Sequence, residues 1–504
     1  MPAFGFAFTL SALLQLALAA LATKEPPRSS VLQPDSTATH FSAAAPSIPG
    51  PGWQEIINHN VPRGRTAPAV CAGPWGIMSF AGAIHEHRMV NETWLLPALG
   101  GNWTFLPPAA GRPHPIQRAV SGIARYGDGC LMFGGTALTP GTYGPDHSVA
   151  TPPSFAMLND TWYWTLAGGW EELHFDVAPP PRMYHTLKEL SDGTLLLYGG
   201  RNELYGAREY SVGDPWVFNG TWSLLNLIVD LPHDTPNFAI MPPAMQHRNV
   251  PPPRWGHGMT CGLTNTGPPM ANNHTGYGKV ECVMFGGSQV ADEDYLADTW
   301  MLKVQTDEHG VETVPRQYFW EQQNSRFSPH GRWSFQMATC GSRVIFCGGS
   351  TDFRVSADEM WMWSPVNRIV EIPDHPPAHL GEWTRLFGTD AIEDADWGPG
   401  GRPDAAGPPR PTGYALFNIG AIGASDIIMF AGAINQFGGN FHHKGFETAQ
   451  MWRWACSAEA WPDAVLASPP LPPNPPPPPS FPPGEWGGIN GQPAYVEPAL
   501  PGTH

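Results

Sequence analysis

The chain has 504 residues, 42% of them hydrophobic and only 14% charged, which is enough apolar content for a large core and less charge than an average domain carries. Its net charge of −17 removes nucleic acid from the expected main partners, because a phosphate backbone needs a basic surface. The 58 prolines and 56 glycines exceed a fifth of the chain, and no long stretch beyond the N-terminus keeps a 3.6-residue apolar spacing, so the expectation is many short strands joined by turns.

Residues 1–22 read as a signal peptide. Residues 3–22 carry no charge, and Ala20-Leu21-Ala22 is a small-x-small cleavage site before Thr23. No Lys or Arg precedes the apolar run, which is long enough to span a bilayer, so an uncleaved signal anchor is the alternative. Residues 23–51, rich in Ser, Ala and Pro, read as a disordered spacer. A secretory route permits disulfides and glycans. Asn-x-Ser/Thr sequons stand at Asn91, Asn102, Asn159, Asn219 and Asn273. Three of them precede a Trp, where a turn calls for Asn in any case. Seven cysteines is an odd number, so at least one thiol stays free or pairs outside the chain.

Residues 52–465 contain six copies of one unit. The first has an Arg-ended turn at Arg65, the apolar run IMSFAGA (77–83), NETW ending at Trp94 and a second Trp-led strand, WTFL (103–106). The second has Arg112, CLMFGGT (130–136), NDTW at Trp162 and WEEL (170–173), with residues 136–159 expected as a loop. The third has Arg182, LLLYGGR (195–201), GDPW at Trp216 and WSLL (222–225). The fourth has Arg254, VMFGGS (283–288), ADTW at Trp300 and WEQQ (320–323). Residues 262–279 lengthen its first hairpin, and Cys261 and Cys282 flank that insertion as the best disulfide candidate, two buried thiols being the alternative. The fifth has Arg332, VIFCGGS (344–350), DEMW at Trp361 and WTRL (383–386), and residues 387–409 lead on as a loop. The sixth has Arg410, IIMFAGA (427–433) and Trp452, but no second Trp-led strand. Near the N-terminus, WQEI matches such a strand with no unit before it, so residues 53–57 are expected to complete the last unit.

Each unit therefore holds four short strands in succession. Continuous apolar runs imply strands covered on both faces. Glycines at the end of such a run permit φ > 0 and a close approach by the neighbouring copy, and a Trp can fill the space between sheets. Sheets covered on both faces and repeated in series stack around an axis as propeller blades.

Six ordered sets of Arg, diglycine-like turn and paired Trp resemble the Kelch-repeat family over roughly residues 50–462. The resemblance implies an all-β, six-bladed propeller whose last blade is closed by an N-terminal strand. Ala81 and Ala431 depart from the pattern by replacing the first glycine, and the sixth unit lacks the acid before its Trp. Kelch domains use boundary arginines to bind acidic peptides, since a guanidinium forks onto a carboxylate. The resemblance thus nominates Arg65, Arg112, Arg182, Arg254, Arg332 and Arg410 at one channel mouth, together with Tyr184, His185 and His257 and the loop histidines His442 and His443. The competing structural role for the arginines is blade-to-blade ion pairing and backbone capping.

An extracellular copper oxidase of the galactose-oxidase kind is the alternative. Tyr184-His185 resembles its adjacent ligands and Cys71 its cross-linking cysteine, but the strand matching its second tyrosine offers His114 and no Tyr. No nucleophile elbow, phosphate loop, HExxH or paired CxxC is present. Residues 466–504 form a proline-rich tail, and SPPLPPNPPPPPSFPP (468–483) should adopt polyproline II. That run resembles the proline-rich segments of plant and green-algal wall glycoproteins; a plain linker is the alternative. The reading is a secreted or wall-associated, monomeric recognition protein for a protein or glycan partner, with no cofactor and no membrane span after signal cleavage.

Overall fold

A computed structural model describes residues 53–456 except 85–87, 140–141, 144–148, 152–153, 203–209, 229–249, 264–269, 273–275, 290–294, 324–327, 353–354, 357–359, 371–377, 388–410, 413–414, 420–425, 436–444 and 448. The chain divides into two units, residues 1–461 and 462–504. The expected signal segment, the proline-rich tail and nearly all of the 387–409 loop lie outside the described residues.

All regular structure among the described residues is β, and none of it is a helix long and apolar enough to cross a membrane. The strands form six antiparallel sheets of four strands each, one carrying a short fifth strand, with smaller hairpins beside them. This is a six-bladed propeller. In the first blade Ala69–Gly73 is the inner strand, followed outward by Gly76–Phe80, Thr93–Leu96 and Thr104–Leu106. The other inner strands are Gly122–Tyr126, Thr186–Glu189, Gly258–Cys261, Ala338–Cys340 and Ala415–Ile419. The sixth blade runs outward through Asp426–Phe430 and Met451–Trp454 and takes Gln54–Ile56 as its outer strand. Its register is Gln54↔Arg453, Glu55↔Trp452 and Ile56↔Met451, the closure expected from WQEI. The 136–159 segment departs from expectation. The alternating residues on its two arms pair, as in Ser154↔Thr139 and Ala156↔Ala137, and lengthen blade two by a hairpin.

The second strands are the core. Ile77, Phe133, Leu197, Phe285, Ile345 and Ile428 are fully buried, as strands sandwiched between neighbouring sheets must be. The outer Trp of each blade packs on the aromatic residue that precedes the glycines of the blade before it. Ring centroids lie 4.7 Å apart for Trp170–Phe80, 5.3 Å for Trp222–Phe133, 5.3 Å for Trp320–Tyr198, 5.2 Å for Trp383–Phe285 and 5.1 Å for Trp103–Phe430. Blade five has Cys347 in that place, a buried cysteine outside the three disulfides whose Sγ lies 3.7 Å from Met429 Sδ. The Trp facing that blade is Trp53, whose indole donates to Met360 Sδ at 3.2 Å.

A threonine before the inner Trp adds a second tie. Trp170 Nε1 donates to Thr93 Oγ1 at 3.0 Å, Trp222 to Thr161 at 3.0 Å and Trp383 to Thr299 at 2.9 Å. Where Pro215 and Met451 replace that threonine, the indoles of Trp320 and Trp103 are buried without a partner. Thr299→Val removes an acceptor from a buried donor and is expected to cost about 1–3 kcal/mol. A urea midpoint with an unchanged slope reads this, and a midpoint that did not move would show the tie to be idle.

Three disulfides reinforce the blades. Cys71–Cys130 joins blades one and two, and Cys340–Cys456 joins blade five to the segment just past the third strand of blade six. Cys261–Cys282 spans the first hairpin of blade four, where the two residues are direct cross-strand partners.

Candidate functional site

The channel mouth is built by the residues that lead into each inner strand. Ala67, Val120, Tyr184, Gly256 and Ser334 all hold left-handed backbone, φ 48–65°. That turn aims each amide at the preceding blade: Val120 N–H donates to the Ala67 carbonyl at 3.3 Å, Tyr184 to Val120 at 3.2 Å, Gly256 to Tyr184 at 2.9 Å and Ser334 to Gly256 at 3.0 Å. The result is a collar of backbone hydrogen bonds running from blade one to blade five.

The glycine pairs feed the same collar. At the first position Ala81 and Ala431 hold φ 60° and 62°, within the left-handed well open to alanine at modest cost. At the second position φ runs from 88° in Gly349 to 111° in Gly200, beyond that well, and all six units keep glycine there. The second glycine's N–H donates to the boundary-arginine carbonyl of the next blade: Gly135 to Arg182 at 3.0 Å, Gly287 to Arg332 at 2.8 Å and, across the seam, Gly432 to Arg65 at 2.9 Å.

Four of the six boundary arginines turn away from solvent. Arg65, Arg182, Arg254 and Arg332 are fully buried. In Arg254, Nε donates to the Pro252 carbonyl at 3.1 Å, Nη1 to the Gly286 carbonyl at 2.9 Å, and the fork grips Asp298 at 2.7 Å on both oxygens. Arg182 repeats this with Asp214, and Arg65 makes the same two backbone bonds but reaches Glu92 through Nη2 and Oε2 alone. The same acids accept the indole N–H of the Trp two residues on, as Trp300 does on Asp298 at 2.7 Å. Burial alone would push Glu92 up, yet hydrogen bonds from Trp94 and Arg65 hold its carboxyl below the ordinary value. Blade six has Gln450 at the acid's position, and the Trp452 indole there is buried without a partner. These arginines clamp each blade to its own glycine turn, which corrects the expectation that they form a recognition surface.

Arg112 needs a second correction. It is exposed and donates to the Gly168 carbonyl at 2.6 Å. The clamp of blade two is Arg118, fully buried and forked onto Asp160 at 2.7 Å.

Tyr184 sits half-buried in the collar, its ring 5.3 Å from Trp255 and 5.8 Å from Trp333, and burial raises its hydroxyl pKa. His185 Nε2 accepts from the Gly122 N–H at 3.1 Å, and His257 Nε2 lies 3.0 Å from Thr186 Oγ1. Burial pushes His185 down to about 3 and His257 well below its ordinary value, each with help from a boundary arginine, so both are neutral struts between blades. The oxidase alternative gains nothing from this geometry: Cys71 is spent on Cys130, His185 Nε2 is occupied, and His114 Nε2 lies 3.5 Å from Thr93 Oγ1. Arg410, His442, His443 and Asn273 lie outside the described residues. Asn91, Asn102, Asn159 and Asn219 are exposed.

A feature not singled out in the sequence surrounds the collar. The residue after each boundary arginine bridges to the residue after the glycines, in Thr66↔Ala83, Ala119↔Thr136, Met183↔Arg201, Trp255↔Ser288 and Trp333↔Ser350. From there the second-to-third-strand connections continue as hairpins, such as Ala83–Ile84 with Arg88–Met89 and Arg201–Asn202 with Tyr210–Ser211. These connections share one end of the sheets with the collar and crown that mouth. At the other end the inner hairpins of blades one and two turn tightly, at Gly73–Gly76 and Tyr126–Gly129, while that of blade four is lengthened by the short strand Met270–Asn272.

No protein-family model matches the chain. It is similar to an F-box/kelch-repeat protein of Arabidopsis thaliana, 24% identical over 305 residues, which takes in 57% of this chain and 52% of that protein. It is also similar to Adagio-like protein 3 of Oryza sativa subsp. japonica, 23% identical over 230 residues, 45% of this chain and 32% of that protein. The chain thus spans about half or less of the length of these curated relatives. This weak homology and the six-bladed architecture together support a Kelch-like propeller.

Proposed function

We propose that this Kelch-like propeller is a recognition scaffold that binds a protein partner through the crowned mouth. The carrying observation is the crown itself: blade after blade sends its second-to-third connection to the same mouth as a hairpin anchored on the collar. Loops held by a rigid scaffold are where binding residues concentrate. Phe155, 58% exposed on the lengthened hairpin of blade two, is an apolar contact of the kind such surfaces use. We place the protein outside the cytosol. Two disulfides between blades and four exposed sequon asparagines support that location, since such bonds persist under oxidising conditions.

Immobilised propeller, probed with extracts and culture medium of the source organism, is expected to retain a defined protein. Phe155→Asp should weaken retention by about ten-fold or more, as for a central apolar contact. Val311→Asp, on the third-to-outer connection of blade four at the opposite end, should leave it unchanged. Loss with Val311→Asp and not with Phe155→Asp would move recognition to the other face, and no retained protein at all would overturn the reading.

A further inference from the structure

The channel inside the inner strands is a separate place where chemistry collects. It encloses about 290 Å3, and its walls differ in character. Blades one and six line it with apolar side chains such as Val70 and Leu416, and blades four and five with Thr260 and Gln336. The charged groups come from the adjacent blades two and three: Arg125, Lys188 and Glu189. Two cations against one carboxylate leave this lining net positive in a chain whose total is −17.

Those charges are unequally matched. Glu189 feels the Arg125 charge, which pulls it back down against the rise that burial causes. Lys188 has no counterpart: among the described residues no carboxylate or hydrogen-bond acceptor reaches its ammonium. Burial lowers it to about 8, so it stays largely protonated at neutral pH. The contrast is with Lys303, which is more deeply buried and meets Glu321 at 2.9 Å. His257 and His185, which share the channel, are neutral and supply no counter-charge. A half-buried cation without a partner is partly desolvated, and an anion in the channel would offset that cost.

We propose that the central channel binds a small organic carboxylate, with its carboxylate on Lys188 and its apolar body against the wall of blades one and six. One uncompensated charge matches a monoanion; a dianion such as phosphate would leave a buried negative charge. The volume suits a molecule of a few to about ten heavy atoms, and the apolar wall requires a carbon skeleton.

Calorimetric titration of the full chain with benzoate and with hexanoate tests this, with benzamide as the neutral control. At least one of the two carboxylates is expected to bind, and Lys188→Met should weaken it by about ten-fold or more while leaving benzamide unchanged. A second reading needs no variant. In the reductively 13C-methylated wild-type protein, the Lys188 titration midpoint should rise when the carboxylate is added. Equal affinity in wild type and a folded Lys188→Met protein overturns the proposal. So does the absence of any heat or midpoint shift with both carboxylates, and sulfate matching them would overturn the apolar half.

Discussion

Removing residues 53–57 is expected to open the ring between its last and first blades. Trp53 is 7% exposed, with its ring 5.7 Å from that of Trp454, and its loss alone should cost about 3–5 kcal/mol, the range for truncating a buried Trp. The three strand pairs from Gln54 to Ile56 go with it. Met451–Trp454 then becomes a free edge, a template for another chain. The shortened protein should therefore unfold at a lower denaturant midpoint and elute partly as dimers or larger species, which light scattering during size exclusion will read. A synthetic peptide of residues 52–60 should restore both properties by adding its strand back in trans. A shortened protein as stable as wild type and wholly monomeric would show that the seam is held without that strand, by the Gly432–Arg65 backbone bond and the Trp103–Phe430 ring contact.

That seam is legible in the sequence, because an unmatched Trp-led strand at one end answers a missing one at the other. The blades were legible for the same reason: an apolar run closed by glycine needs neighbours on both faces. The clamp of blade two was not recognised, although its signal was present. Arg65 and Arg332 each reach a carbonyl 16 residues ahead, at Ala81 and Gly348, and that spacing from Gly134 selects Arg118 rather than Arg112. The turn wording around Arg112 obscured the count. The disulfides between blades had no such signal, because Cys71 and Cys130 meet only once two sheets are stacked. Lys188 was equally silent. Whether an inner-strand residue lines the channel depends on sheet twist and on what faces it across the axis, and neither is written in one strand.

Arg254→Met is expected to destabilise the propeller by about 3–5 kcal/mol, the range for breaking one side of a buried pair. The substitution keeps most of the side-chain volume but strips the Asp298 carboxylate, only 17% exposed, of its fork, and leaves the Gly286 and Pro252 carbonyls without their donors. Asp298→Asn should cost less, because the amide oxygen can still accept from Trp300 Nε1, now held at 2.7 Å. The two losses should not add. Once the arginine is gone the carboxylate is a burden, so the double variant should lose at least about 1 kcal/mol less than the sum of the two single losses, measured as a cycle of urea midpoints. Additivity to within about 0.5 kcal/mol would mean that the two groups act independently and the clamp is only a geometric coincidence. The cycle also decides how binding experiments on this surface must be read. If the clamp carries this much stability, a partner lost on replacing Arg182 or Arg254 reports a loosened blade. Only substitutions in the crown, such as Phe155→Asp, then speak to recognition itself.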